Sequence, residues 1–172
     1  MKDTLTIIKE RVSIRAYTTE PVTDEDVETL LRAAMAAPSS KNKQPWFFVL
    51  VTQAEVREEL ASELPYAGML RSAPVAIVVC GDTRVHTGYS ALNWVMDCSA
   101  ATENLLLAAQ AIDLGAVWTG VYPYLDRIQF VRRILQLPTH IVPLNVVAIG
   151  HPATHPPHID KWDPMKVMNF KR

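Results

Sequence analysis

Residues 90–113 restrict the fold more than any other part of the chain. They contain neither glycine nor proline and are rich in alanine, so the sequence predicts one continuous helix of about six turns. A helix with apolar side chains on several faces must be covered on several sides, which one domain of 172 residues rarely achieves. We therefore expect a second copy of the chain to supply part of the cover, and we predict a homodimer. The apolar positions of this helix are Leu92, Val95, Met96, Leu105, Leu106, Leu107 and Ile112.

Shorter amphipathic helices are predicted from capping residues and apolar spacing. Thr23 with Asp26 marks the start of one helix, and Thr52 with Glu55 has the spacing of a capping box for the next. Residues 125–135 place apolar side chains on one side of a further helix.

Four apolar runs predict strands. Residues 46–51 and 75–80 are apolar throughout, which indicates strands buried on both faces, and residues 116–120 and 142–149 predict two more. The chain has no internal repeat and no linker, so we expect one domain over its whole length with helices and strands in an α+β or α/β layer structure. Residues 151–172 are interrupted by prolines and should form an extended arm of that domain.

Composition excludes several classes of function. The formal net charge of -1 argues against nucleic acid as the main partner, because binding to a phosphate backbone needs an excess of Lys and Arg. The first residues lack the pattern of a signal peptide, and no run approaches the roughly 20 apolar residues of a membrane-spanning helix. We expect a soluble cytoplasmic protein without a metal site, since Cys80 and Cys98 form no CxxC pair and prolines separate His151, His155 and His158.

Arg11, Ser13 and Arg15 form a candidate anion-binding triplet. In an extended segment these three side chains project to the same side, so two guanidinium groups and a hydroxyl would converge. Arginine grips a phosphate through paired hydrogen bonds, and the hydroxyl adds a neutral donor. The alternative is a solvated polar loop with surface ion pairs.

A second candidate is the polar loop between Pro38 and Pro45. Two prolines restrict its backbone, and its small or polar side chains cannot bury themselves. Asn42 and Gln44 offer both the donor and the acceptor that a flat heterocycle with an amide-like edge requires. The alternative is an ordinary turn in which Ser and Asn side chains only satisfy nearby backbone groups.

Together these segments resemble the nitroreductase family of flavoproteins. The similar stretches follow the family's order and spacing over nearly the whole chain, and the PSSxNxQPW element is specific. They are residues 11–17 (RVSIRAY), 37–46 (APSSKNKQPW), 105–109 (LLLAA), 114–120 (LGAVWTG) and 147–152 (VAIGHP).

The resemblance implies a three-layer α+β fold with a central mixed β-sheet flanked by helices, assembled as an intertwined homodimer. It implies FMN as cofactor, bound between the subunits. Hydride from NADH or NADPH would reach flavin N5 and pass to a nitroaromatic, a quinone or a similar electron-poor acceptor, with no catalytic side chain. Two alternatives remain: a protein that stores or senses FMN without turnover, and a flavin enzyme of the same fold that removes halide or breaks down the flavin.

The resemblance also assigns residues at the phosphate end of FMN. Arg11 and Ser13, with Val12 between them, would bind the phosphate, and Arg15 would reach the ribityl chain or the pyrimidine end of the ring. Positive charge there suits a reduced flavin, whose negative charge lies near N1 and O2.

Lys161 matches the position of a further cation for the phosphate. One common version of the family has a second basic residue two positions later, where this chain has Asp163. Lys166 and Arg172 are therefore alternatives to Lys161.

Two further segments would contact the flavin ring. The other subunit would contribute the loop residues Pro38, Ser39, Ser40, Asn42 and Gln44. Val117, Trp118, Thr119 and Gly120 would lie beside the ring, with the backbone N–H of Thr119 or Gly120 directed at N5, because glycine permits close backbone approach.

Several other residues have a functional and a structural interpretation. Asp97 and Glu103 on the long helix are possible proton donors, but pairing with neighbouring polar groups or helix ends is favoured. Cys98 is interpreted as a packing residue. Three aromatic side chains are candidates for lining a substrate site, although core or surface packing is the commoner role: Tyr66, Tyr89 and Trp94.

Overall fold

The computed structural model describes residues 3–170, which form five α-helices and four β-strands. The helices are α1 (Thr4–Glu10), α2 (Asp24–Met35), α3 (Ala54–Glu63), α4 (Asn93–Ala111) and α5 (Leu125–Ile134). The strands are β1 (Trp46–Val51), β2 (Val75–Asp82), β3 (Gly115–Gly120) and β4 (Ile141–Gly150).

The four strands form one sheet in the order β1-β2-β4-β3. Each neighbouring pair is antiparallel. The parallel component of the expected mixed sheet is confined to an isolated bridge between Ser13 and Ala116, at the outer edge of β3. This edge is where the segment that follows α1 joins the sheet.

Helices cover both faces of the sheet, which confirms the α+β fold in three layers. One core cluster joins α2 and α4 to one face through side chains such as Leu30 and Leu105. The other joins α3 and α5 to the opposite face, with Leu60 and Val131 fully buried. Burial of two sheet faces follows from the apolar runs of the central strands.

The start of α2 confirms the predicted capping box. The Thr23 side chain accepts a hydrogen bond from the Asp26 N–H at 3.1 Å, and the Asp26 carboxylate accepts one from the Thr23 N–H at 3.1 Å. The capping box predicted from Thr52 and Glu55 is wrong, because α3 begins after Gln53 without a side-chain cap. Instead, the Thr52 carbonyl accepts a hydrogen bond from the Arg57 guanidinium.

Strand β1 is less buried than its sequence suggests. We expected both faces to be covered, but Phe47 and Leu50 are 47% and 44% exposed, and only Val51 is fully buried. The physical reason is position: in the described part of the chain β1 pairs only with β2 and lies at the edge of the sheet. β2, in the interior of the sheet, is buried throughout except at its last residue, as predicted.

Trp94 is a core residue, which is the commoner of the two roles considered for it from the sequence. Its ring packs against the backbone of Gly81, where a Cβ atom would lie 2.2 Å from Trp94 Cε3. It also meets the Tyr122 ring edge-to-face at 5.1 Å between centroids. Glycine at position 81 is therefore required by the close approach of the indole, which fixes the first turn of α4 against β2.

Helix α4 is buried on most sides within one chain, and it begins three residues later than predicted, after a 3-10 turn at Gly88–Ser90. Its exposed apolar side chain is Met96, and Leu92 just before the helix is also exposed. These two exposed apolar residues lie one turn apart, and the homodimer stays a prediction.

Residues 151–170 contain one regular element, a 3-10 turn at Pro164–Lys166, within a largely exposed stretch. The antiparallel bridge between Tyr17 and Pro152 ties its start to the body of the protein. Arg172, one of the alternatives to Lys161, lies outside the described residues. Within residues 3–170, none of the helices is both long and apolar enough to cross a membrane.

Candidate functional site

Residues 11–17 form an extended segment along the edge of β3. The Ile14 N–H donates to the Ala116 carbonyl at 3.1 Å, and the Ile14 side chain is buried. Because side chains alternate in an extended segment, Ser13 and Arg15 project away from the core. Arg15 is exposed, while Arg11 and Ser13 are half-buried.

Tyr17 anchors the end of this segment. Its single hydroxyl proton is shared between two backbone carbonyls, those of Ile14 at 2.7 Å and Ala148 at 3.1 Å. Burial raises the pKa of Tyr17 well above the usual value, and the nearby positive charge of Arg15 opposes this only in part. The phenol therefore stays protonated and holds the segment to β4.

A cavity of about 530 Å³ lies between this segment and the C-terminal stretch. We call it the Arg11 cavity. It brings together four of the predicted residues, but Arg15 does not line it. Its lining residues are Ile8, Lys9, Arg11, Val12, Ser13, Pro157, His158, Ile159, Asp160, Lys161 and Trp162.

The charge of the Arg11 cavity is predominantly positive. Three of its lining residues are cationic and one, Asp160, is anionic. Lys9 was missed in the sequence, because it lies in α1 outside the alternating triplet. Lys166, the alternative to Lys161, is not among the lining residues.

Arg11 also contacts α4. Its Nε lies 3.5 Å from Glu103 Oε1, and the Arg11 side chain is 20% exposed while that of Glu103 is 52% exposed. Glu103 thus pairs with a neighbouring cation, in agreement with the structural interpretation of this residue. A partly exposed pair of this length is weak, so Arg11 remains able to bind an anion.

The loop over residues 38–44 is held by its own polar side chains. The Gln44 N–H donates to Ser39 Oγ at 2.9 Å, and Gln44 Nε2 donates to Asn42 Oδ1 at 3.0 Å. Lys41, Asn42 and Gln44 have positive φ angles of 54°, 52° and 50°. Left-handed backbone costs a residue with a Cβ atom about 1–2 kcal/mol, and the cost is smaller for Asn.

This loop is also tied to α4. The Ser40 N–H donates to Asp97 Oδ1 at 2.9 Å, and Asn93 Nδ2 donates to Ser40 Oγ at 2.8 Å. The second carboxylate oxygen of Asp97 lies 2.9 Å from His86 Nε2, and both side chains are buried. Asp97 is therefore paired with neighbouring polar groups, which is the interpretation favoured from the sequence over a role as proton donor. His86 was missed, since a single histidine in a connecting segment gives no sequence signal.

Strand β3 presents a partly open edge beside residues 11–17. The N–H and C=O groups of successive residues in a strand point to opposite edges. The Ala116 carbonyl points to Ile14, away from β4, so the N–H and C=O groups of Trp118 and Gly120 also point away from β4. The Thr119 N–H faces β4 instead. Of the two predicted backbone donors, only that of Gly120 thus points outward.

The side chains of residues 117–120 have different environments. Val117 is buried in the core, and Trp118 is 36% exposed. Thr119 is buried, and its Oγ1 has no hydrogen-bond partner among the described residues. A Cβ atom at Gly120 would meet no described atom within 4 Å, so the space above this residue is open.

Within one chain, the Arg11 cavity is separate from the other two predicted parts of the site. The 38–44 loop contacts the first turns of α4 through Asn93 and Asp97, whereas Arg11 contacts Glu103 further along the same helix. None of residues 38–44, and none of residues 117–120, lines the Arg11 cavity.

Thiol chemistry has no support at this site. Burial raises the pKa of Cys98 to about 12 and that of Cys80 still further. Cys80 and Cys98 belong to the core clusters on opposite faces of the sheet.

In residues 3–170 no group of three or more His, Cys, Asp or Glu side chains is placed to hold a metal ion. Tyr66 and Tyr89 are strongly exposed.

The fold and the site define a class of protein: a three-layer α+β chain with a cationic cavity beside an open strand edge. The chain belongs to the nitroreductase family, whose family model matches residues 8–64 and 57–151. This confirms the resemblance seen in the sequence.

Known relatives are similar over nearly the whole chain. A protein of Methanothermobacter thermautotrophicus named "Putative NADH dehydrogenase/NAD(P)H nitroreductase" is 42% identical over 96% of this chain and 85% of its own length. A crystal structure of a Parabacteroides distasonis protein of the same name has a TM-score of 0.94 at 45% identity, with complete coverage of both chains. A putative nitroreductase from Desulfovibrio desulfuricans, solved in complex with FMN, has a TM-score of 0.84 at 30% identity over 100% of this chain and 99% of that chain.

Tyr17→Phe should destabilise the protein in a pH-dependent way. Loss of the hydroxyl removes its hydrogen bond to the Ile14 and Ala148 carbonyls, and we expect the free energy of unfolding to fall by about 1–3 kcal/mol near pH 7. A raised pKa in the folded state means that the contribution of Tyr17 is complete below about pH 10 and is lost as the pH rises further. The difference between the two proteins should therefore be constant up to about pH 10 and shrink steadily as the pH is raised above it.

Urea unfolding at a series of pH values measures this difference. Tyr124→Phe is the control, because Tyr124 is 52% exposed. A Tyr17→Phe protein as stable as the wild type at pH 7 would show that the two hydrogen bonds contribute nothing.

Proposed function

We propose that this chain binds FMN and works as an NAD(P)H-dependent oxidoreductase that reduces a nitroaromatic, a quinone or a similar electron-poor compound. One observation carries the proposal: Arg11, Ser13 and Lys161 meet in one cavity beside the open edge of β3. Family membership and the FMN complex of a relative support it.

The donors of the Arg11 cavity fit the phosphate of FMN. A guanidinium, a hydroxyl and an ammonium group complement a phosphate that carries close to two negative charges. The volume of about 530 Å³ exceeds what a phosphate group alone needs and lies within the range of small-molecule sites. Arg15, exposed just outside the cavity, would reach the ribityl chain or the pyrimidine end of the ring.

The edge of β3 fits the flavin ring. The outward N–H of Gly120 is available as a donor to N5, and the open space above Gly120 leaves room for a flat ring. Val117, Trp118 and Thr119 would flank that ring. Gly120 is thus the better assignment of the two donors considered from the sequence.

A homodimer would complete this site. The 38–44 loop carries Pro38, Ser39, Ser40, Asn42 and Gln44, and in one chain it lies apart from the Arg11 cavity. A partner chain can bring a second loop to the cavity. Exposed apolar side chains at the start of α4, Leu92 and Met96, and in residues 159–170 provide surface for such an interface.

When bound, FMN would supply two-electron redox chemistry between NAD(P)H and the acceptor. The residues of this chain bind and orient. Arg11, Ser13 and Lys161 would hold the phosphate, the Gly120 N–H would donate at the ring, and Arg15 would place positive charge near the ring. The sequence contains no GxGxxG element, so NAD(P)H and the acceptor would use the same space in turn.

Spectroscopy of the purified protein tests this function. We expect a yellow protein whose flavin absorbance is bleached by excess NADH or NADPH and recovers when a nitroaromatic or quinone is added. Flavin that stays oxidised in the presence of both nucleotides would contradict the oxidoreductase and favour FMN storage. Halogenated acceptors and product analysis separate nitroreduction from other flavin chemistry.

Arg11→Ala should weaken FMN binding by about 1.5–3 kcal/mol, or roughly 10- to 150-fold in Kd, because it removes a charged hydrogen-bond donor to the phosphate. Titration of the apoprotein measured by flavin fluorescence gives this Kd. Arg32→Ala is the matched control, since Arg32 pairs with Glu28 on the exposed face of α2.

Lys161→Ala should weaken binding more than Lys166→Ala, and the opposite order would move the assignment to Lys166.

Mixed dimers should show that each site is shared between subunits. If Arg11 of one subunit and Asn42 of its partner contact the same FMN, a heterodimer of Arg11→Ala and Asn42→Ala chains retains one intact site. We expect tight FMN binding at one site per heterodimer, measured after purification with two different tags, and weak binding by either homodimer. An FMN-loaded monomer in light scattering would contradict the shared site.

A further inference from the structure

The 38–44 loop depends on support from outside its own residues. Three of its residues have the left-handed backbone that side chains with a Cβ atom disfavour, so the loop needs contacts that fix this shape. The bonds between its own side chains involve Ser39, Asn42 and Gln44, which are solvent-exposed or half-buried. Ser40 is the residue that connects the loop to the protein interior.

Two contacts of Ser40 provide the connection. Asn93 donates to its hydroxyl at 2.8 Å, and its N–H donates to Asp97 Oδ1 at 2.9 Å. A hydrogen bond from a backbone amide to a carboxylate is among the stronger kinds, and here the carboxylate side chain is 7% exposed. Asp97 is thus the strongest single attachment of the loop.

The orientation of Asp97 depends in turn on His86. The Oδ2 atom of Asp97 lies 2.9 Å from His86 Nε2, and the His86 side chain is 2% exposed. Without this donor, Oδ2 would be a buried oxygen that lacks a partner, and the carboxylate would be driven to turn towards water. Turning would release the Ser40 N–H.

We propose that His86 and Asp97 are positioning residues that hold the 38–44 loop in the shape that contacts the flavin ring. The inference rests on the proposed function. His86 lies in the segment between β2 and α4. The proposal therefore gives this segment an effect on the loop that contains Asn42 and Gln44. Both side chains are buried and neither lines the Arg11 cavity, so their effect on the flavin would act through the loop.

A purely structural role is the rival explanation, because loss of any buried polar pair destabilises a protein. The chain offers a matched control in Thr102, which is fully buried further along α4, donates to the Cys98 carbonyl at 2.8 Å and accepts from Asn145 at 3.0 Å. Thr102→Val removes a comparable buried network on the same helix without touching the loop.

The experiment compares His86→Leu, His86→Gln and Asp97→Ala with the wild type and Thr102→Val. Glutamine can still donate to Asp97, whereas leucine cannot. Amide hydrogen exchange of peptides from residues 38–45 reports the loop directly, with and without FMN. Titration with FMN and thermal unfolding complete the set of measurements.

We expect exchange in residues 38–45 to be at least tenfold faster in His86→Leu and Asp97→Ala, and FMN Kd to rise by about tenfold. His86→Gln should stay within about threefold of the wild type. Combining His86→Leu with Asp97→Ala should add little to Asp97→Ala alone, because both act through one carboxylate. Thr102→Val should lower the unfolding temperature without changing loop exchange or FMN affinity.

Unchanged loop exchange in His86→Leu would overturn the proposal, and so would faster exchange with unaltered FMN affinity. A similar change in Thr102→Val would assign the effect to general destabilisation and overturn it as well. Failure of the wild type to bind FMN overturns the proposed function instead, and the exchange data of the apoprotein still report whether His86 orders the loop.

Discussion

The packing of α4 against the sheet is the interaction on which the rest of the structure depends. This helix contacts all four strands, and small side chains such as Ala101 and Ala109 allow it to approach them closely. Its position fixes Asp97, which holds the 38–44 loop, and Glu103, which contacts Arg11. Both parts of the proposed site therefore take their geometry from one buried helix.

Much of the fold could be predicted from the sequence because its signals are local. The capping box of Thr23 and Asp26 is complete within four residues, and the apolar runs of β2 and β4 need no other part of the chain to be recognised. The triplet that begins at Arg11 was likewise a candidate from its spacing, and the polar loop after Pro38 from its prolines and polar side chains. The resemblance to a family then supplied the roles expected of these residues, which remain proposals for this chain.

What the sequence did not predict depends on contacts between distant residues. The exposure of Phe47 follows from the place of β1 at the sheet edge, which only the strand order decides. His86 finds Asp97 through the path of a connecting segment, and Trp94 is in the core because Gly81 leaves room for its ring. Gly120 is proposed instead of Thr119 as the backbone donor to the flavin because the Ala116 carbonyl points to Ile14, which only the structure shows.

The exposed edge of β1 has a consequence for self-association. An apolar strand with an unpaired edge invites pairing with another chain, and proteins commonly oppose this with lysine or proline nearby. β1 itself carries neither, but Lys41, Lys43 and Pro45 immediately precede it. Lys41, Lys43 and Pro45 are thus placed to act as gatekeepers against edge-to-edge pairing, in addition to any part that this segment has in binding a ligand.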